Sequence, residues 1–319
     1  ADDDQLSEEH IVEALKRRAA EAKAASGSVS IPDVKWDDVG GQAEAKAAIL
    51  ETVELPLKAP HLFGDGMRTR SGVLLYGPPG NGKTLIAKAV ASQCALAFLS
   101  VKGPELLSSY VGESERLVRE VFEKGRAAAP CVIFFDEIDA LAPARGATAD
   151  AGGVMDRVVS QLMAEIDGVG SSKKTDLFVL AATNRPDLLD DALLRPGRFD
   201  RLVYLGPPEG ATERLRVLRA LTRRFTMADG VDLEAVAARC PEGVSGADLY
   251  GLCADALLRA MREHIDAEEA AAAEAEGGGG GGAAAAAAEE EEEGEEGVAL
   301  WPIVVPVGAR HFDLALAEL

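Results

Sequence analysis

The residues best suited to chemistry fall in two short stretches. The first, "GPPGNGKT", fits the pattern G-x-x-x-x-G-K-[ST], with Gly77, Gly82, Lys83 and Thr84 at the fixed positions. Glycines so spaced let backbone N–H groups turn inward around an anion, and Pro78, Pro79, Gly80 and Asn81 complete the turn. Lys83 supplies a point charge for the outer oxygens of a phosphate chain, and Thr84 a hydroxyl for Mg²⁺. A helix that begins here, with Leu85 in its first turn, aims its positive end at the same anion. The second stretch, "CVIFFDEID", ends an apolar run in Asp136 and Glu137. Asp136 suits a Mg²⁺ ion through its water shell. Glu137 suits the polarising of a water, because phosphoryl transfer needs an oriented nucleophile more than covalent chemistry. The two stretches together predict a site for a nucleoside triphosphate with Mg²⁺.

Such a site needs strands that end at the anion. Five short apolar runs supply them: residues 72–76 (GVLLY), 97–101 (AFLSV), 131–135 (CVIFF), 177–182 (LFVLAA) and 202–205 (LVYL). Continuous apolar runs suit strands covered on both faces, and amphipathic stretches lie between them. The pattern predicts an α/β domain with a parallel sheet of five strands between helices. After residue 208 strand signals stop, and residues 211–225, 231–239 and 245–264 read as helices of a small all-α domain. Residues 267–297 contain only Ala, Glu and Gly. That composition offers too little apolar area to offset its ordering entropy, so it predicts a disordered acidic insert. Order is expected to return over 298–319. Residues 7–24 carry helical spacing at Ile11, Leu15 and Ala19, and "SGSVSIPD" breaks the pattern.

Charge narrows the partners. The formal net charge is -21, and twelve of the carboxylates lie within residues 266–297, which hold no Lys or Arg. No strong basic field remains to gather nucleic-acid phosphates, which argues against DNA or RNA as the main partner. The four cysteines form no C-x-x-C pair, and reduced buried thiols are the expected state. No apolar run reaches membrane-spanning length, so direct membrane insertion is not expected.

The stretch "ATNRPDLLDDALLRPGRFD", residues 182–200, closely resembles the second region of homology of the AAA ATPases, and the likeness extends over 31–266 and 303–319. The resemblance implies that Asn184 helps position the attacking water, and that Arg195 and Arg198 act as arginine fingers on a neighbouring subunit's ATP. It implies that "WDDVGG" borders the adenine through Asp38 and Gly40. The segment "SGADL", with Gly246 and Ala247, would line the ribose and adenine from the lid. "VKGPELLSSYVGESE" resembles the family's substrate-gripping segment, which implies that Tyr110 and Val111 face a central pore. Asn81 departs from the commoner Thr or Cys, with no consequence for a cradle built from backbone.

Within the family, "GGVMDRVVSQLMAEIDGV" is most similar to the second ATPase module in the peroxin branch. That likeness implies an ATP- and Mg²⁺-dependent translocase in a hetero-hexameric ring with peroxin-1. The ring would be recruited from the cytoplasm to the peroxisomal membrane by an anchored adaptor, and would extract ubiquitinated import receptors for recycling. A valosin-containing-type segregase stays open as an alternative, although a Trp-Phe pair would then be expected where Tyr110-Val111 stands. So does an assembly module that binds ATP and hydrolyses little, against which the intact Glu137, Asn184, Arg195 and Arg198 argue. "EEHIVEAL" (8–15) echoes "ARHFDLAL" (309–316). With no initial methionine, that echo predicts that residues 1–30 are the closing lid helix and linker of a preceding module. The expected units are then 31–208 for the large subdomain, 209–266 for the lid, 267–297 for the insert and 298–319 for the end of the lid.

Overall fold

The runs Gly72–Tyr76 (β1), Ala97–Lys102 (β2), Cys131–Asp136 (β3), Leu177–Thr183 (β4) and Arg201–Tyr204 (β5) pair in parallel, in the order β2-β3-β4-β1-β5. The computed structural model describes residues 31–58, 72–107, 112–142, 152–171, 177–277 and 305–319. The chain divides into two compact units, Ala1–Pro208 and Glu209–Leu319. Register extends three strands one residue beyond their apolar runs: Lys102 pairs with Asp136, and Thr183 with Tyr76. Ladder bonding, not hydropathy, sets those ends.

Successive side chains of a strand point to opposite faces, and this divides the first unit's core in two. Val73, Leu75, Phe98, Val132, Phe134 and Leu180 lie on one face, under the helices Ala43–Lys58 (α1) and Lys83–Gln93 (α2). Leu74, Leu99, Ile133, Phe135 and Val179 lie on the other, under Glu113–Ala127 (α3) and Gly152–Ser171 (α4). Burying each such side chain contributes roughly 1.5–3 kcal/mol. The expected three-layer α/β architecture is therefore present.

The second unit consists of Gly210–Leu221 (α5), Leu233–Arg239 (α6), Gly246–Gly277 (α7) and Ala309–Leu316 (α8). Its core gathers Leu218, Leu249, Leu252, Ala256, Val307 and Phe312, so residues from both sides of the acidic segment share one cluster. Helix α5 stops four residues short of the expected end. Thr222 caps it, its hydroxyl donating to the Leu218 carbonyl at 2.8 Å.

One expectation is corrected here. Residues 267–277, read as the start of a disordered insert, continue α7. The composition argument concerned burial, and these residues do not need it. Residues 262–270 are exposed throughout. Alanine and glutamate propagate a helix already nucleated and docked at its amino end. The six glycines that begin at Gly277 coincide with its end. Residues 278–297 and 1–30 lie outside the described residues.

Candidate active site

Strand β1 ends at Tyr76, and the loop Gly77–Gly82 carries it into α2. Gly77, Gly80 and Gly82 hold φ of 143°, 79° and 77°, a region that favours glycine. A Cβ on Gly77 would stand 2.2 Å from the Leu205 carbonyl oxygen, so the loop also needs glycine for close packing against the end of β5. The first backbone N–H groups of α2 have no intrahelical acceptor and are available to an anion.

Lys83 is 8% exposed. Its ammonium donates to the Gly77 and Pro78 carbonyls at 2.9 and 2.8 Å. Burial lowers its pKa, while Asp136 and Asp139 nearby act in the opposite sense. Thr84 donates its hydroxyl to Asp136 Oδ2 at 2.7 Å. The two residues assigned to Mg²⁺ thus meet across the carboxyl ends of β1 and β3, separated in the sheet by β4. Among the described residues no group of three or more His, Cys, Asp and Glu could hold a metal alone. One carboxylate and one hydroxyl fit an Mg²⁺ ion that takes its other oxygens from phosphates and water. Such an ion would neutralise charge on the phosphate oxygens.

Glu137 follows directly, exposed, with its backbone left-handed at φ 53° and ψ 48°. Asn184 is exposed just past β4. Strand order places their two strands side by side, with the phosphate loop on β1 next in line.

The segment assigned to adenine is fastened to the same edge. Asp38 Oδ2 accepts the Lys35 N–H at 2.9 Å and closes the turn Trp36–Asp38. Lys46 donates to the Val39 carbonyl and lies 5.3 Å from the Trp36 ring centroid. Gln42 Nε2 donates to the Gly206 carbonyl at 2.7 Å, one residue beyond Leu205. Asp38 and Gly40 therefore lie on a strap pinned beside the phosphate loop.

The remaining assigned residues come from other parts of the chain. Gly246 and Ala247 open α7 in the second unit, where Ser245 and Asp248 exchange hydrogen bonds as a capping box. Tyr110 and Val111 lie outside the described residues. Arg195 is exposed. Arg198 is engaged within its own chain: Nε and Nη2 bond both carboxylate oxygens of Asp167 at 2.9 and 2.7 Å, and Nη1 reaches the Ala192 carbonyl at 2.6 Å. Asp167, Gln42, Asp139 and Thr183 escaped the sequence reading. Only Asp139, in the run "DEID", carried a visible signal.

The cysteines do not enter this chemistry. Cys131, Cys240 and Cys253 are buried and unbridged, and burial pushes the Cys131 and Cys253 thiols up to about 11 and about 12. Thiols so shifted are poor nucleophiles at neutral pH. No helix among the described residues is long and apolar enough to cross a membrane.

Comparison with known proteins agrees with this geometry. The family profile "ATPase family associated with various cellular activities (AAA)" matches residues 73–207, and that of the AAA+ lid domain matches 230–274. The chain is 57% identical over 264 residues to a protein named peroxisomal ATPase PEX6 from Arabidopsis thaliana, with 83% of this chain and 28% of that protein covered. Against proteins of the same name it is 57% identical over 265 residues in Homo sapiens, covering 83% of the chain and 27% of the relative. In Dictyostelium discoideum it is 58% identical over 241 residues, covering 76% and 20%. The chain thus spans about a quarter of the length of these curated relatives.

Proposed function

The chain belongs to the AAA ATPase family, and from that premise we propose that it is the second ATPase module of a peroxisomal translocase of the peroxin-6 type. The observation that carries the ATPase reading is the meeting of Lys83, Thr84 and Asp136 at the carboxyl ends of β1 and β3, which flank β4 in the sheet. Open α/β sheets place ligands at that edge. Lys83 and the backbone of Gly77–Thr84 hold the phosphates, Thr84 and Asp136 hold Mg²⁺, and Leu85 lies in the helix turn above them. Glu137 polarises a water and Asn184 orients it for attack on the terminal phosphorus.

Arg195 and Arg198 act on another subunit's nucleotide. A Cβ on Gly72 would stand 2.4 Å from the Arg198 carbonyl oxygen, so this turn abuts the amino end of β1, whereas the phosphate loop leaves its carboxyl end. Five residues of strand separate the two ends by roughly 16 Å. That exceeds the reach of an arginine side chain, which favours action in trans.

The energy is spent on drawing a polypeptide through the ring, gripped by Tyr110 and Val111. Their segment follows β2, which pairs with β3 along its whole length, so nucleotide state at Asp136 and Glu137 can move it. Peroxin-1 completes the ring, an adaptor recruits it to the peroxisome, and import receptors are the cargo. The names of these relatives support the peroxisomal assignment. The test is ATP turnover by the assembled ring with an unfolded polypeptide, with DNA, or with neither. Stimulation by polypeptide alone, lost in Tyr110→Ala while basal turnover persists, is expected. Stimulation by DNA, or full processing by Tyr110→Ala, would overturn the translocase reading.

A further inference from the structure

We propose that Thr183 is a positioning residue that sets the spacing between Glu137 and Asn184. It rests on the reading above, in which those two residues hold the attacking water. Thr183 is the last residue of β4 and is 1% exposed. Its hydroxyl donates to Asp139 Oδ1 at 2.7 Å and accepts the Arg185 N–H at 2.9 Å. One oxygen thus joins two loops. Asp139 lies in the turn Ile138–Ala140, immediately after Glu137, and the Ala140 N–H donates back to the Glu137 carbonyl at 3.1 Å. Arg185 immediately follows Asn184.

The consequence is a short, fully bonded path from one side of the water to the other. Asn184 is clamped on both flanks, by Thr183 in the ladder and by the Arg185 N–H on the Thr183 hydroxyl. Arg185 is itself held: its guanidinium bonds both carboxylate oxygens of Asp187 at 3.1 and 2.9 Å. The Glu137 carbonyl also lies close to the turn after β2: a Cβ on Gly103 would stand 2.3 Å from its oxygen, so glycine is what admits this approach. Asn184 and Glu137 are exposed, and their backbone sets where the side chains start. Removing the hydroxyl leaves Asp139 Oδ1 and the Arg185 N–H to find new partners, and the two loops drift independently. A displacement of about 1 Å at a reacting centre costs on the order of 10²-fold in rate.

The test compares Thr183→Val, Thr183→Ser, Asn184→Ala and the double variant in the assembled full-length protein. Turnover and affinity for a non-hydrolysable ATP analogue are both measured. Thr183→Val removes the hydroxyl at equal volume, and kcat should fall about 10- to 100-fold with analogue affinity within about twofold. Thr183→Ser should recover kcat to within about threefold, and Thr183→Val should add little once Asn184 is alanine. Should Thr183→Val fail to fold, Thr183→Cys makes the same comparison with a weaker donor. Full kcat in Thr183→Val, or losses that multiply in the double variant, overturns the inference. If Asn184→Ala keeps full turnover, the parent reading falls and this inference with it. A slow Asn184→Ala beside a fast Thr183→Val removes this inference alone.

Discussion

Glu137 combines an exposed side chain with a left-handed backbone, a conformation that costs a non-glycine residue on the order of 1 kcal/mol. Surrounding contacts over-determine it. Asp136 Oδ1 accepts its N–H at 3.1 Å, its carbonyl lies where a Cβ on Gly103 would clash, and the next turn bonds back to it. The left-handed backbone turns the chain out of the line of β3 at Glu137, directly after the residue that accepts from Thr84. Glu137→Gln keeps the shape and removes the base, so it is expected to bind ATP normally and turn over 10²- to 10⁴-fold more slowly, on the order seen for a lost general base. Lys83→Ala should instead lose nucleotide affinity. Equilibrium binding beside steady-state turnover separates the two, and wild-type turnover in Glu137→Gln would refute its role.

Among the elements, α7 is asymmetric. Its amino half packs in the lid core through Leu249, Leu252 and Ala256, while residues 262–270 are exposed on every side. Ala270→Gly should therefore reduce helical ellipticity slightly and leave the lid's thermal transition within about 2 °C, because the roughly 1 kcal/mol propensity loss is confined to a turn that supports no core. The junction with α8 should respond to acid. Glu263 accepts from His311 at 3.0 Å and from Arg310, and these two bonds hold its carboxyl below the usual glutamate range. A depressed folded pKa stabilises fully above the ordinary glutamate value of about 4.3 and loses that contribution as pH falls through the depressed value. Denaturant midpoints for the lid should thus decline below about pH 4. Glu263→Gln should flatten that part of the profile, and an unchanged slope would remove Glu263 as its source.

For the whole molecule, the Arg198 turn and the phosphate loop lie at opposite ends of β1, and on the proposed reading of Arg195 and Arg198 turnover would depend on assembly. Arg195→Ala should spare ATP binding and lower kcat roughly 10³- to 10⁵-fold, the range known for a supplied arginine. Arg198 must exchange its bidentate bond to Asp167 before it can serve a neighbour, whereas Arg195 already faces solvent. Mixing Arg195→Ala subunits with Lys83→Ala subunits should restore part of the activity at shared interfaces. Turnover that stays constant on dilution to monomer would rule out the trans arrangement.

The sequence by itself determined the strands, the phosphate loop and the acidic pair. Each depends on local pattern: apolar runs for buried strands, glycines for left-handed turns, Lys83 and Thr84 at the start of a helix. It also determined the lid's return after the acidic stretch, through the apolar residues near Val307 and Phe312. It misjudged residues 267–277, because composition reports burial and not helix propagation. Tertiary structure alone decided which distant residues meet. That Thr183 bonds Asp139, that Gln42 pins the strap to Gly206, and that Arg198 is occupied by Asp167 are matters of strand order and register. Those contacts join residues 31 to 164 positions apart. No local periodicity encodes such pairings, because they arise only when the sheet closes in the order β2-β3-β4-β1-β5 and brings its carboxyl ends onto one edge.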